Sequence, residues 1–201
     1  MAIKENRRIF NSRAKGFQVV PIYQLKVTLD GIKPPIWRRI QVRGDVSLFT
    51  LHKIIQAAMG WEDYHLHQFM VGEDYYAVPS PDDPWPMKTK NEKRAKLFQV
   101  APAEKAKFVY EYDLGDSWCH EILVEKILHP EEVQEHPVCI AGRRSRPPED
   151  CGGIGGYYEF LKALRNPKHP DHEDMITWAG GDFDPERFDM EEINHLLSKI
   201  K

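Results

Sequence analysis

The sequence predicts an α+β domain in which a largely antiparallel sheet is followed by a helical C-terminal third. Two observations carry this prediction. Apolar and polar residues alternate along several short segments in the first two thirds of the chain, whereas apolar residues recur at helical spacing in the last third. The length of 201 residues is enough for one sizeable hydrophobic core. We expect residues 1–19 to form an N-terminal arm and residues 20–201 to form this single domain.

The first predicted elements are a β-hairpin and a helix that follows it. Residues 23–29 alternate apolar and polar side chains, and Asp30-Gly31 provides a turn after them. A second strand with the same period of two is predicted from one set of residues, Ile36, Arg38, Ile40 and Val42, that alternates with another, Trp37, Arg39 and Gln41. Ser47 is a good N-cap and Gly60 is a natural C-terminal stop. The apolar residues between them lie at helical spacing, so this segment is predicted to be one helix.

A second hairpin is predicted near the middle of the chain. Residues 108–112 and 118–127 each alternate in the manner of a strand, and residues 113–116 have the composition of a tight turn. Two shorter strands, at residues 68–71 and 75–78, are expected between the first helix and this hairpin.

Three helices are predicted in the C-terminal third. The first covers residues 157–164 and ends before Asn166-Pro167, and the second covers residues 171–179. Asp189 is the predicted N-cap of the third, with Glu192 at the reciprocal position of a capping box. The third helix is expected to bury a stripe of five apolar residues: Met190, Ile193, Leu196, Leu197 and Ile200.

The charge of the chain is unevenly distributed. The net charge is −3, but residues 1–43 carry ten Lys and Arg against two acids, a net of +8, so the remainder carries −11. A basic end on an acidic body is typical of a protein with a nucleic-acid or other anionic partner. A solvated arm and one charged strand face explain the same pattern, and we favour this explanation because the chain as a whole is acidic.

Composition argues against several classes of protein. No apolar run approaches the ~18 residues that a membrane helix needs, and residues 1–8 are not followed by the apolar core of a secretory signal. Three cysteines without a Cys-x-x-Cys spacing argue against a disulfide framework and against a thiolate zinc site. We therefore expect a cytoplasmic protein with no membrane association.

The strongest candidate site combines the tip of the second hairpin with a loop about thirty residues later. The tip is rich in short acids, and the loop contains arginines, two acids and a run of glycines. If the two segments meet, a binding cleft is expected among nine residues: Asp113, Asp116, Trp118, His120, Arg146, Glu149, Asp150, Gly152 and Gly153. They match no catalytic, metal-ligand or cofactor signature, so no catalytic residue, metal or cofactor is assigned.

Each feature of this cleft has both a structural and a functional explanation. Asp113 and Asp116 suit a turn, because short acids accept hydrogen bonds from local amides, and we favour that role. Together with His120, or with His65 and His67, which point the same way if their segment is extended, such acids can also hold a metal ion. The glycine loop can cradle an anion or simply allow close backbone approach. The arginines can clamp a phosphate, but in an acidic domain we favour internal pairing.

Several segments of the chain resemble the Ri-plasmid ORF-3-like family over about residues 20–200. They are residues 23–29, 34–39, 51–61, 64–67, 112–118, 147–150, 152–153 and 183–185. The resemblance implies an α+β, roll-like domain and a link, through the family name and some relatives, to plasmids and transposable elements. It implies no established activity and no catalytic residues. Cys151 departs from the family pattern, in which a small apolar residue is expected.

Two functions follow as hypotheses. The first is a non-enzymatic binding module associated with mobile-element or plasmid DNA, with nucleic acid or a protein as its partner. The second is a metal- or phosphate-dependent enzyme with a site near residues 113–120 and 146–156. Convergence of the candidate acids around open volume favours a site, whereas mutual pairing without a cavity favours a structural role.

Overall fold

The computed structural model describes residues 20–79, 89–129 and 136–200, so the expected arm at residues 1–19 lies outside the described residues. Within these ranges the chain forms eight strands and five helices. In chain order they are β1 (Ile22–Leu29), β2 (Trp37–Arg43), α1 (Leu48–Met59), β3 (His67–Val71), β4 (Asp74–Ala77), β5 (Lys90–Asn91), α2 (Leu97–Val100), β6 (Lys107–Tyr112), β7 (Trp118–Leu128), β8 (Val138–Arg143), α3 (Gly153–Arg165), α4 (His172–Trp178) and α5 (Met190–Leu197). The α+β class is confirmed.

The described strands form one open sheet in the order β5-β4-β3-β6-β7-β1-β2-β8. Neighbouring strands are antiparallel except for the short pair β4 and β5. Both predicted hairpins form, β1 with β2 and β6 with β7. Strand β7 lies between β6 and β1, so it joins the two hairpins into one sheet. The roll-like curvature expected from the family resemblance stays a prediction.

The sheet buries one face and exposes a polar one, as its alternating pattern predicts. Leu25 and Val27 on β1 are buried, whereas Gln24, which points to the polar face, is only half-buried. On the polar face Arg39 binds Glu125 through two parallel hydrogen bonds of 2.6 and 2.8 Å. Gln24 donates a third hydrogen bond to the same carboxylate, at 2.8 Å. The buried face is therefore the one on which the helices pack.

Helix α1 begins and ends at the predicted residues. The Ser47 side chain accepts a hydrogen bond from the amide of Thr50, and Gly60 has the left-handed φ of 91° that a C-terminal glycine stop requires. The side chains of α1 that pack against the sheet are mostly apolar, but His52 and Gln56 are also buried on this face. The side chains of these two polar residues contact the sheet rather than solvent.

The sequence did not predict three of the other elements, and its prediction for helix α5 was wrong in part. Strands β5 and β8 and helix α2 were not predicted. Strand β5 has two residues and α2 has four, and β8 pairs with β2, which is distant in sequence. Asp189 caps α5 as expected, but Met190 and Leu196 of the predicted buried stripe are exposed. Helix α5 has only eight residues, and its buried side is a narrow line along Ile193 and Leu197.

Candidate functional site

The tip of the β6–β7 hairpin is organised by Asp113. Its Oδ1 accepts hydrogen bonds from the amides of Gly115, at 2.9 Å, and Asp116, at 3.3 Å. Asp113 itself has φ 57° and Ser117 has φ 54°, so the tip contains two non-glycine residues in the left-handed region. The turn role expected for Asp113 is therefore present, and it leaves the second carboxylate oxygen, Oδ2, available for another contact.

The glycine loop meets this tip at the start of helix α3. Asp116 Oδ2 accepts a hydrogen bond of 3.0 Å from the amide of Gly152. Gly153 has φ +67°, and a Cβ at this position would lie 2.8 Å from the carbonyl oxygen of Asp116. The anion at this helix N-terminus is thus the side chain of Asp116, and the glycines allow the close approach of two backbones.

Three carboxylates of the tip and the loop converge on one imidazole. The Nε2 atom of His65 lies 3.2 Å from Asp150 Oδ1, 3.7 Å from Asp113 Oδ2 and 3.8 Å from Glu149 Oε2. We call His65, Asp113, Glu149 and Asp150 the hairpin-tip site. Ligand atoms of His65, Asp113 and Asp150 all lie within 4.8 Å of one another, a spacing at which one metal ion can be held.

The hairpin-tip site has more negative charge than its own hydrogen bonds satisfy. Glu149 Oε1 accepts from the amide of Glu62 and from the hydroxyl of Tyr112, at 2.9 and 3.3 Å. Glu149 Oε2 and His65 Nε2 are buried and have no hydrogen-bond partner within the described part of the chain. Like charges held this closely repel strongly where solvent is excluded, and a bound cation removes that repulsion.

A groove of about 700 Å³ adjoins the hairpin-tip site. Asp150 belongs to both, and the groove continues between α3 and α4 past Phe160, Met175 and Trp178. The Cys151 thiol also lines this groove. Burial, with the nearby negative charge of Asp116, raises the pKa of Cys151 to about 12, so it is a neutral thiol rather than a nucleophilic thiolate.

Trp118 and His120 of the predicted cleft lie elsewhere, in the protein interior. Both are fully buried on the core face of β7, and Cys119 between them faces the other way. Trp61 Nε1 donates to His120 Nε2 at 3.3 Å, so the Nδ1–H of His120 donates to the carbonyl of Tyr110. Burial lowers the pKa of His120 to about 4, and the ring stays neutral at physiological pH.

Two arginines of the loop, Arg144 and Arg146, pair internally, as we expected. Arg146 donates to the carbonyl oxygen of Gly60 and lies 3.3 Å from Glu62. Arg144 is buried and donates to Glu186 at 2.9 Å. These guanidinium groups contact neither Glu149 nor Asp150, so the acids of the hairpin-tip site are not neutralised by them.

His65 is the residue of this site that the candidate cleft lacked. In the sequence, the spacing of two residues between His65 and His67 indicated that His65 could be a metal ligand. In the structure, however, the two side chains do not point the same way. His65 turns to the hairpin tip, whereas His67 turns towards α1. His65 lies at a bend in the loop, whereas His67 is the first residue of β3, so the two do not belong to one regular extended segment. The structure therefore brings together His65, Asp113, Glu149 and Asp150, but neither Trp118 nor His120.

The fold and the site define a class of protein: an α+β fold with an open, mostly antiparallel sheet and an acidic, histidine-containing cluster at one hairpin tip. No helix among the described residues has the length and apolar character needed to cross a membrane. The chain belongs to the family of plasmid pRiA4b ORF-3-like proteins, whose family model matches residues 21–192.

Two relatives are similar over most of their length. The uncharacterized protein y4hQ of Sinorhizobium fredii (strain NBRC 101917 / NGR234) is 35% identical over 184 residues, which cover 90% of this chain and 93% of that protein. The crystal structure of MM3350, a protein of unknown function from Methanosarcina mazei Go1, has a TM-score of 0.76 and 42% identity, and covers 86% of this chain and 97% of that one. The family is thus shown, but its function is not known.

Proposed function

We propose that this protein is a binding module that holds a divalent metal ion at the hairpin-tip site. The observation that carries the proposal is the convergence of three carboxylates on His65, with a buried oxygen of Glu149 left without a hydrogen bond among the described residues. A divalent cation supplies the positive charge that this arrangement otherwise lacks.

The chemistry of the ligands favours a hard cation. Carboxylate oxygens outnumber the single imidazole, and such sets suit Mg²⁺, Mn²⁺ or Ca²⁺ better than softer ions. Asp150 has a side chain 69% exposed and also lines the groove beside α3 and α4. An ion held there has protein ligands on one side and the groove on the other, so a ligand with anionic oxygens can reach it.

The test is calorimetric titration of the purified protein with Mn²⁺, after treatment with a chelator. We expect saturable binding, a rise in melting temperature, and at least about tenfold weaker binding in Asp150→Asn. This variant suits the purpose because Asp150 is exposed and is not needed to close the hairpin turn. Asp171→Asn is a matched control, because Asp171 is another exposed acid of the groove near a histidine, His169. No binding at millimolar Mn²⁺, or equal weakening by both substitutions, would falsify the proposal.

Association with DNA remains a prediction from the basic first 43 residues. Half of their Lys and Arg lie in residues 1–19, outside the described part of the chain. Of the described ones, Arg38 is buried, while Arg39 and Arg43 pair with Glu125 and Asp45. The described residues therefore give little support to the hypothesis of DNA binding. DNA binding at low salt that weakens steeply as salt is added is the result that would revive it.

A further inference from the structure

A second cluster of metal-ligating side chains lies under helix α1, away from the hairpin tip. Its members come from four segments of the chain: His52 from α1, Asp63 from the loop after α1, His67 from the start of β3, and Glu92 just after β5. We call these four residues the helix–strand site. None of them belongs to the candidate cleft predicted from the sequence.

The geometry of the helix–strand site is compact. The rings of His52 and His67 stack in parallel, with centroids 3.5 Å apart and 4° between their planes. His52 Nε2 lies 3.0 Å from Asp63 Oδ1, and His67 Nε2 lies 3.0 Å from Glu92 Oε2. Ligand atoms of His52, Asp63 and His67 all lie within 4.8 Å of one another. Glu92 lies outside this group of three and joins the cluster through its contact with His67.

Glu92 is the observation that points to a cation. Its side chain is 0% exposed, and its Oε1 has no hydrogen-bond partner in the described ranges. In the same ranges no lysine or arginine forms an ion pair with Glu92 or Asp63. A buried carboxylate with one unsatisfied oxygen is strongly destabilising unless a positive charge compensates it.

Neighbouring residues hold the site in the arrangement that metal-binding histidines need. His52 Nδ1 hydrogen-bonds the hydroxyl of Tyr110 at 2.8 Å, which directs Nε2 into the cluster. Gln56 donates to the same hydroxyl, at 2.8 Å, and accepts from the amide of Asp63, at 3.0 Å.

We propose that His52, Asp63, His67 and Glu92 form a second, independent metal site that takes a first-row transition metal such as Zn²⁺. Two imidazoles with two carboxylates suit a borderline ion, in contrast to the oxygen-rich hairpin-tip site. The ion enters beside Asp63, whose side chain is 52% exposed, while the other three ligands are largely buried. This proposal does not depend on metal binding at the hairpin tip.

Titration of chelator-treated protein with Co²⁺ tests the proposal, because the visible d–d absorption of Co²⁺ reports the number and geometry of the ligands around the ion. We expect one set of bands that Zn²⁺ abolishes by competition. Asp63→Asn is expected to weaken Co²⁺ binding at least about tenfold while leaving the fold intact, since Asp63 is half-exposed. Asp150→Asn, which alters only the hairpin-tip site, is the matched control and is expected to leave the bands unchanged.

A second variant separates a metal site from a structural ion pair. Glu92→Gln has nearly the same shape but no charge. If Glu92 is a metal ligand, the variant loses the stabilisation that Zn²⁺ gives the wild type. If Glu92 serves only to pair with His67, Zn²⁺ stabilises the variant as much as it stabilises the wild type, and this result overturns the proposal. Absence of Co²⁺ bands at millimolar concentration, or bands that Asp63→Asn leaves unchanged, overturns it as well.

Discussion

At the scale of single residues, the contact between the hairpin tip and helix α3 depends on two glycines. Gly152 and Gly153 both have positive φ, and Gly153 lies so close to Asp116 that a side chain does not fit. Glycine is the only residue that meets both conditions without strain. The glycine run that looked like an anion cradle in the sequence is thus explained by backbone packing.

Gly153→Ala is expected to destabilise the protein by about 1–3 kcal/mol, since the new Cβ is both strained at φ +67° and in collision with the carbonyl of Asp116. Chemical denaturation measures this change. Gly155→Ala is the matched control two residues further along α3. A Cβ at Gly155 has no atom within 4 Å, and alanine favours the helix by roughly 0.5–1 kcal/mol. Equal effects from the two substitutions would contradict this account.

At the scale of elements, helix α5 covers the edge of the sheet at strand β8. Asn194 accepts a hydrogen bond from the amide of Cys139, at 2.7 Å, and donates one to the carbonyl of the same residue, at 2.9 Å. The side-chain amide therefore takes the place of a neighbouring strand at this position. It also protects a buried part of the edge from pairing with another chain.

Asn194→Ala is expected to lower the free energy of unfolding by about 2 kcal/mol, because it removes two hydrogen bonds and leaves buried backbone groups of Cys139 unsatisfied. Equilibrium urea denaturation gives the value. Glu191→Ala, on the exposed side of the same helix, is the control and is expected to change stability by less than about 0.5 kcal/mol. A loss for Asn194→Ala no larger than that of the control would argue against the edge-capping role.

At the scale of the whole molecule, the centre of the open sheet is formed by strands that are far apart in the sequence. Strand β1 pairs with β7, and residues such as Val27 and Ile122 become neighbours although almost one hundred residues separate them. This central pairing buries His120 between Trp61 and the backbone of β6. The acid stability of the molecule therefore depends on a residue whose environment exists only in the complete fold.

The protein is expected to lose stability as the pH falls from about 6.5 to 4. The pKa of His120 is lowered to about 4 in the folded protein, from an ordinary value near 6.5, so the unfolded chain binds the proton more tightly in this range. Below the folded pKa the loss reaches roughly 3 kcal/mol. Urea denaturation at several pH values, in the presence of a chelator, measures it.

The control for this pH dependence is His120→Gln. Glutamine is neutral throughout the range and can still accept a hydrogen bond from Trp61. The slope of stability against pH is expected to be shallower in this variant, and the slope that remains belongs to other titrating groups. An unchanged slope would show that His120 is not the group responsible.

The sequence by itself determined the α+β class, both hairpins, helix α1 with its caps at Ser47 and Gly60, and the family. These features depend on local rules: alternation along a strand, spacing along a helix, and the preferences of caps and turns. It also indicated that Asp113 belongs to a turn. Local rules were sufficient here because each of these residues interacts mainly with neighbours in sequence.

Only the tertiary structure decided which candidate residues meet. His65 joins Asp113, Glu149 and Asp150 because the loop after α1, the hairpin tip and the loop before α3 pack together. Trp118 and His120 turn inward because their strand is central. The helix–strand site was beyond prediction for the same reason, since its four residues come from four segments. A local pattern shows what each side chain can do, but long-range pairing of strands and packing of helices determine which side chains share a site.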